Sequence, residues 1–367
     1  MSVNDRLRVV VLAPVDSRLN PYIDLFKAGL AGAGVACTVQ QWFSLRWFAS
    51  NWRSIDVLHL HWLEHIYVSD STLRTVRNLL SLIGFLVFAR VVRILVVYTI
   101  HNLAPHSPRY PRLNLFAHWL VCNLANAVHV HDTRGREMIS PFLSKRTRLY
   151  VVPHGNYITA YPNNCTRNEA REKFGIAGDA FVYLFLGQLR PNKGIDHLIA
   201  AFTKLADSNA ALLIAGWAPE PRYGDKVAAL AMDDPRITLH RKFVEAIEVQ
   251  YFMNACDVCV LPYRSVTTSG AAILAFSFGR PIVAPGIGCF LDLVRGSCGI
   301  LYSPTGEAAL SDALVKARKL DLGRAKSEAL SLARSFDWAE IGQRHAVAYR
   351  VSIGGVMWQQ TRDSAHI

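Results

Sequence analysis

Residues 181 to 202, FVYLFLGQLRPNKGIDHLIAAF, decide the fold. An apolar run from Val182 to Leu186 stops at Gly187, a polar loop carries Arg190 and Lys193, and Gly194 leads into Ile195, Leu198, Ile199 and Phe202 at helical spacing. A short apolar run followed by that periodicity predicts a strand, a turn and a helix. In open α/β sheets the turn at the carboxyl end of a strand is where ligands bind, and a helix N-terminus there favours an anion. Two fixed cations in such a turn suit a diphosphate. Lys193 is followed by Gly194 and not by Ser or Thr, so the turn is not a Walker loop.

The same alternation extends outward from this unit. Upstream, Leu7 to Val15, Val35 to Gln40, the strand end Asp56 to Trp62, Ile94 to Ile100, Ala127 to His131 and Leu149 to Pro153 read as strands. Helical patterns fall between them, at Tyr22 to Ala33 and about 71 to 90, and Leu63-Glu64-His65 reads as a loop. Downstream, strands are expected at Ala210 to Ala215, Arg236 to His240 and Val258 to Leu261, with helices at Ala246 to Asn254 and Ala271 to Phe278. Residues 157–175 are polar, with Pro162 and the paired Asn163 and Asn164, and read as a linker plus a short helix. The fold class is therefore α/β, in two halves expected at 1–157 and 170–344 on either side of the linker, with a cleft between them.

At 367 residues and 51% hydrophobic, the chain can bury two cores. Seven Cys are an odd number set mostly in apolar segments, which argues against a disulfide framework and for a reducing, cytoplasmic setting. The opening MSVNDRLR runs directly into a strand pattern without the layout of a secretory signal. Cys256 and Cys259 read as buried thiols, and no set of residues has metal-ligand spacing. The net charge of +12 is uneven: residues 1–160 hold 17 Lys and Arg against 8 Asp and Glu, or +9, leaving +3 for the remainder. An anionic partner for the first half follows. The basic residues are not interleaved with a nucleic-acid reading motif, so nucleic acid is not expected. The same half contains the most lipophilic segment, Leu79 to Ala89, flanked by Arg74, Arg77, Arg90 and Arg93. It is too short to span a bilayer and suits either peripheral contact with an anionic membrane or burial against the sheet.

Gly187-x-x-Arg190-x-x-Lys193-Gly194 resembles the donor-phosphate loop of the group-one glycosyltransferases, and the resemblance implies their GT-B fold, two Rossmann-like domains facing across a cleft with a terminal helix, here at about 345–367, crossing back onto the first. Thr268-Ser269-Gly270-Ala271, before the helical run and Gly279-Arg280-Pro281, is similar to the second donor motif of that family, with Thr268 or Ser269 as N-cap and the Gly270 and Ala271 amides facing phosphate. Phe243-Val244 stands where the family holds its nucleotide base. His101-Asn102, in a loop that also holds His106, resembles the position where the family sets a His near the transferred sugar, and resembles the β-mannosyltransferases of lipid-linked oligosaccharide synthesis. Pro153-His154-Gly155 is similar to the signature closing the first domain. One departure is plain: the Glu-x7-Glu pair of the family falls at Val266 and Leu274.

The resemblance implies transfer of a hexosyl group from a nucleotide-diphosphate sugar, GDP-mannose or a UDP-hexose, to a lipid-linked or surface-polysaccharide glycan. The nucleotide sugar is a co-substrate; no cofactor or metal is expected. Arg190 and Lys193 would neutralise the leaving diphosphate. The missing carboxylates and the His-Asn loop favour inversion, which needs a base. Glu64, between apolar Leu63 and His65 after a first-domain strand, is the expected base, with His101 and His106 as the other candidates. A nucleotide-sugar epimerase of the same fold and an inactive sugar-nucleotide-binding subunit are the alternatives.

Overall fold

Two parallel sheets of six strands organise the chain in its computed structural model, which describes residues 6–14, 20–41, 45–102, 109–306 and 308–363. The first comprises β1 (Arg8–Leu12), β2 (Ala36–Gln40), β3 (Val57–His61), β4 (Leu95–Thr99), β5 (Ala127–Val130) and β6 (Arg148–Val151), in the order β2-β1-β3-β4-β5-β6. The second comprises β7 (Phe181–Leu186), β8 (Ala210–Ala215), β9 (Ile237–His240), β10 (Val258–Val260), β11 (Ile282–Pro285) and β12 (Gly299–Tyr302), in the order β12-β11-β10-β7-β8-β9. Each order reverses direction once, between β1 and β3 in the first sheet and between β7 and β10 in the second. Such switch points leave a crevice outside the carboxyl ends of the strands, where doubly wound sheets bind ligands.

The first sheet shows its two faces in its sequence. Leu58, Leu60, Val96, Tyr98, Val128 and Val130 bury one face against Leu79, Leu82, Phe85 and Leu86 of the helix Thr72–Val91 and Ala117 and Val121 of the helix Pro111–Leu124. Each of the Val, Leu and Phe side chains contributes about 1.5–3 kcal/mol by leaving water. The alternate residues of β3, β4 and β5 turn to the other face, where the helices Tyr22–Gly32 and Trp338–Asp363 pack. The helix Thr72–Val91 is long and apolar enough to cross a membrane by length and composition, with a third of its apolar window buried. Its span agrees with the helix expected at about 71 to 90, while its composition passes a spanning test that the eleven-residue apolar core alone does not.

Three boundaries differ from expectation. The compact units are Met1–Gly155 with Asp337–Ile367, and Asn156–Phe336, so the return to the first unit begins at 337 and not near 345. The reason is Trp338, buried with its ring edge-on to Tyr22 at 5.3 Å between centroids. Leu63 to His65 is not a plain loop, because Glu64–Tyr67 completes one helical turn, too short for any periodicity to reveal. The strands also stop short of the apolar runs that contain them: Leu261 continues β10 in apolar character but lies outside it.

In the second unit Phe181, Tyr183, Leu184 and Phe185 of β7 are buried with Leu198 and Phe202 of the helix Ile195–Thr203 and with residues of β8, β10 and β11. Cys256 and Cys259 lie in this core with their sulfurs 3.9 Å apart. All seven cysteines are free thiols.

Candidate active site

The turn after β7 is shaped by two close approaches. Gly216, at the end of β8, has φ +147°, and a Cβ there would stand 1.8 Å from the Gly187 carbonyl oxygen. Gly194 has φ +66°, and a Cβ there would stand 2.1 Å from the Pro262 carbonyl oxygen. A left-handed residue without a side chain therefore lets the β7 turn lie against the segment after β10, its neighbour across the switch point. The Arg264 N–H donates to the Asn192 carbonyl oxygen (2.9 Å), and the Lys193 ammonium lies 3.7 Å from the Tyr263 ring centroid.

Lys193 keeps some exposure, yet desolvation pushes its ammonium down to about 8, with Arg190 adding to the shift and Cys289 opposing it. Among the described residues no carboxylate stands within ion-pair distance of Lys193. Arg190 is half-buried, its Nε donating to Gln188 Oε1 (2.7 Å), and burial lowers its pKa against the pull of Glu220. Arg264 is committed elsewhere: with Lys226 it holds Asp196, in the first turn of the helix Ile195–Thr203, at 2.9 and 2.8 Å.

Of the two expected caps, Ser269 takes the role. Its buried hydroxyl accepts from the Ala272 N–H (3.2 Å) at the start of the helix Gly270–Ser277, while Thr268 is a half-buried residue of the approach. The N–H groups of Gly270 and Ala271 fall in the first turn, where intrahelical acceptors are lacking. Gly187, Arg190, Lys193, Ser269, Gly270 and Ala271 thus belong to the two segments that flank the switch point. Phe243 and Val244 follow β9, two strands from β7; both are half-buried and Val244 packs on the core. Val266 and Leu274, where the family pattern has carboxylates, also pack on that core.

In the first unit the alternate residues of β3, β4 and β5 build a buried layer of histidines that sequence reading did not assemble. His61 pairs in register with Thr99, and Thr99 with His129, while His101 and His131 continue the same rows. With His59, His154 and His345, these give seven buried imidazoles in one layer with Tyr22, Phe26 and Tyr349. The repeated x-His-x-His spacing at 59–61 and 129–131 was the available signal.

Hydrogen bonds fix three of these rings. His131 Nδ1 lies 3.0 Å from the Val152 carbonyl oxygen, which only accepts, so Nδ1 carries the proton and Nε2 is bare. His131 Nε2 stands 3.2 Å from His101 Nδ1, which must then donate, leaving His101 Nε2 to accept from His61 Nδ1 at 2.9 Å. One carbonyl therefore sets the tautomers of three neutral rings. The layer stays neutral because burial, then neighbouring imidazoles, hold the histidines well below their usual pKa; His129 and His154 are pushed down to about 3 and His131 to about 4. His59 bridges Tyr349 and Thr99, both at 2.7 Å, and His129 Nδ1 meets His345 Nδ1 at 3.0 Å, which ties the C-terminal helix to the sheet.

The expected catalytic residues separate. His101 is buried with both ring nitrogens engaged, so its side chain serves the layer. Glu64 is half-buried and His65 exposed, unlike the apolar enclosure expected for a base. The Glu64 charge acts on Tyr67, Tyr98 and His118, which belong to the opposite side of the sheet from His101. His106 lies outside the described residues. No three His, Cys, Asp or Glu among the described residues are placed to share a metal ion.

Residues 180–319 match the family model of Glycosyl transferases group 1. A GDP-mannose:glycolipid 4-beta-D-mannosyltransferase of Xanthomonas campestris pv. campestris is 31% identical over 176 residues, 47% of this chain and 49% of that protein. A D-inositol 3-phosphate glycosyltransferase of Geodermatophilus obscurus is 29% identical over 231 residues, 58% and 50% of the two chains. The chain spans about half the length of these curated relatives. Among solved structures, sucrose-phosphate synthase from Thermosynechococcus elongatus matches with TM-score 0.75 and 16% identity over 95% of this chain and 100% of that one. Anabaena HepE in complex with UDP-glucose matches with TM-score 0.71 and 16% identity over 94% and 100%.

Proposed function

We propose, from the match of residues 180–319 to the group 1 glycosyltransferase model and from the GT-B fold, a hexosyltransferase that takes a nucleotide-diphosphate sugar on its second unit and a glycan acceptor on its first. The observation that carries this reading is Lys193: a desolvated cation without a carboxylate partner among the described residues, set at the switch point beside Arg190 and a helix N-terminus. A diphosphate supplies the missing anion. As the sugar leaves, charge builds on that diphosphate, and cations already in place stabilise it without reorganisation.

GDP-mannose is the donor favoured by the name of the Xanthomonas relative, and a UDP-hexose by the ligand of HepE; the glycolipid in the former's name favours a lipid-linked or surface-polysaccharide acceptor. Peripheral contact with an anionic membrane fits the first unit. Leu73, Leu80 and Val91 on the helix Thr72–Val91, and Leu115, Phe116 and Trp119 on the helix Pro111–Leu124, are exposed apolar residues among exposed Arg74, Arg77, Arg90 and Arg112. Free thiols fit the cytoplasmic face.

Thermal melting of the purified chain with GDP, UDP and ADP, followed by donor turnover with and without a glycolipid extract, tests this reading. Stabilisation by one nucleoside diphosphate and acceptor-dependent release of it is the expected result. Failure of all three to stabilise the protein overturns it.

A further inference from the structure

Trp62 follows β3 at the switch point of the first sheet and takes a left-handed backbone, φ +44°. That conformation is rare for a bulky side chain and persists only where the surroundings enforce it. Here they do. The Trp62 carbonyl accepts the His65 N–H (3.0 Å), closing the turn behind it. The indole lies parallel to the His101 imidazole, centroids 4.0 Å apart and planes 11° apart, and meets the Tyr22 ring edge-on at 5.4 Å.

The support beneath the indole is rigid. His101 can neither rotate nor change tautomer without breaking a hydrogen bond at one end or the other, since His61 and His131 hold its two nitrogens and the Val152 carbonyl orders the row. Tyr22, His61 and His101 are all buried, whereas Trp62 alone of this group keeps partial exposure. A tryptophan needed only for packing could lie in ordinary extended backbone on the apolar face of the sheet, beside Leu60. This one is instead turned out of the strand path and backed by a fixed ring.

We propose that Trp62 is the stacking platform for a pyranose ring of the acceptor glycan. The negative π face of an indole attracts the positive C–H edge of a saturated sugar ring, and a platform that is already ordered loses little freedom on binding. The inference rests on the reading of the first unit as the acceptor side. It adds a residue and a ligand class to that reading.

Saturation-transfer NMR on the full chain tests it, with methyl β-D-glucopyranoside and methyl α-D-mannopyranoside as probes and sorbitol as an acyclic control. Saturation should reach the ring C–H protons of at least one glycoside, fall about fivefold in Trp62→Leu, the scale of one aromatic contact, and survive in Trp62→Tyr. Should Trp62→Leu not fold, the Trp62 indole N–H resonance, assigned by its loss in Trp62→Tyr, should shift on titration of the glycoside into the unaltered protein. An unmoved resonance, or equal saturation in Trp62→Leu, overturns the platform. Melting with GDP and UDP on the same samples separates the two readings. Stacking without nucleotide binding upholds the platform and sinks the transferase, and the reverse sinks the platform alone.

Discussion

The Arg264 N–H donates to the Asn192 carbonyl oxygen across 2.9 Å, and this bond joins the turn after β7 to the segment after β10 across the switch point, as one wall of the proposed donor site. Gly194 against Pro262 and Lys193 over Tyr263 repeat the connection with a close approach and a cation over an aromatic face. Position and charge of Lys193 are therefore set by separate contacts, which allows the charge to be removed without dismantling the turn.

Lys193→Ala should keep the fold and weaken nucleoside-diphosphate binding by about ten- to a hundredfold, the range of a charge-assisted contact worth about 1.5–3 kcal/mol. Calorimetric titration checks it. The protonated ammonium is the binding form and titrates at about 8, so affinity in the unaltered protein should hold below that pH and decline as pH rises through it. An ordinary lysine would hold its charge to about 10.4. Flat affinity from pH 7 to 9.5 would remove Lys193 from the diphosphate contact.

The histidine layer predicts steep acid unfolding. Each of the seven has a folded pKa below its unfolded value near 6.5, so the unfolded chain binds more protons as pH falls. Stability is complete above 6.5 and declines below it by up to about 1.4 kcal/mol per pH unit for each group. With several groups acting together, a domain of ordinary stability should unfold between about pH 5 and 6. Circular dichroism against pH, with proton uptake measured across the transition, shows whether this occurs. Native signal persisting at pH 4 would mean that the layer accepts protons while folded.

The strand, turn and helix at 181 to 203 were legible in sequence because Gly187, Arg190, Lys193 and Gly194 lie within eight residues and punctuate the chain locally. The histidine layer draws on residues 59 to 61, 99 to 101, 129 to 131, 152 to 154 and 345 to 349, and only the parallel register brings these together. Trp62 was hidden for a different reason: no residue type at that position announces a left-handed backbone, which the packing of His101 and Tyr22 imposes from outside. Sequence makes Glu64 a loop carboxylate beside an apolar neighbour, but one helical turn leaves it half-buried and His65 exposed. The choice of Ser269 over Thr268 as cap depended on a single residue of register, at the limit of what pattern resolves.

On the first unit, Leu80→Glu and Trp119→Ser change exposed residues and should leave the melting temperature within a degree or two, since neither helps fill the core. Both should reduce sedimentation with vesicles of anionic lipid. Salt should release the unaltered protein from the same vesicles, because basic residues near such a surface contribute roughly 1 kcal/mol each and are screened within a Debye length. Equal binding to neutral and anionic vesicles would leave the apolar helices as the sole attachment.

The last prediction concerns the proton of the acceptor hydroxyl. Inverting transfer needs a base on the acceptor side, and His101 has both nitrogens committed to His61 and His131. Glu64, two residues beyond Trp62 at the carboxyl end of β3, is then the candidate on the described residues with a carboxylate close to the switch point. Its charge already acts on Tyr67 and Tyr98, so an isosteric change is preferable to truncation. Glu64→Gln should bind donor normally and lose about two or more orders of magnitude in transfer, as removal of a general base commonly does. His101→Gln should instead lower the melting temperature with a smaller effect on turnover per folded molecule. If Glu64→Gln transfers at the normal rate while His101→Gln does not, the base is on the histidine side of the sheet, and the hydrogen bonds that now occupy His101 must open during the reaction.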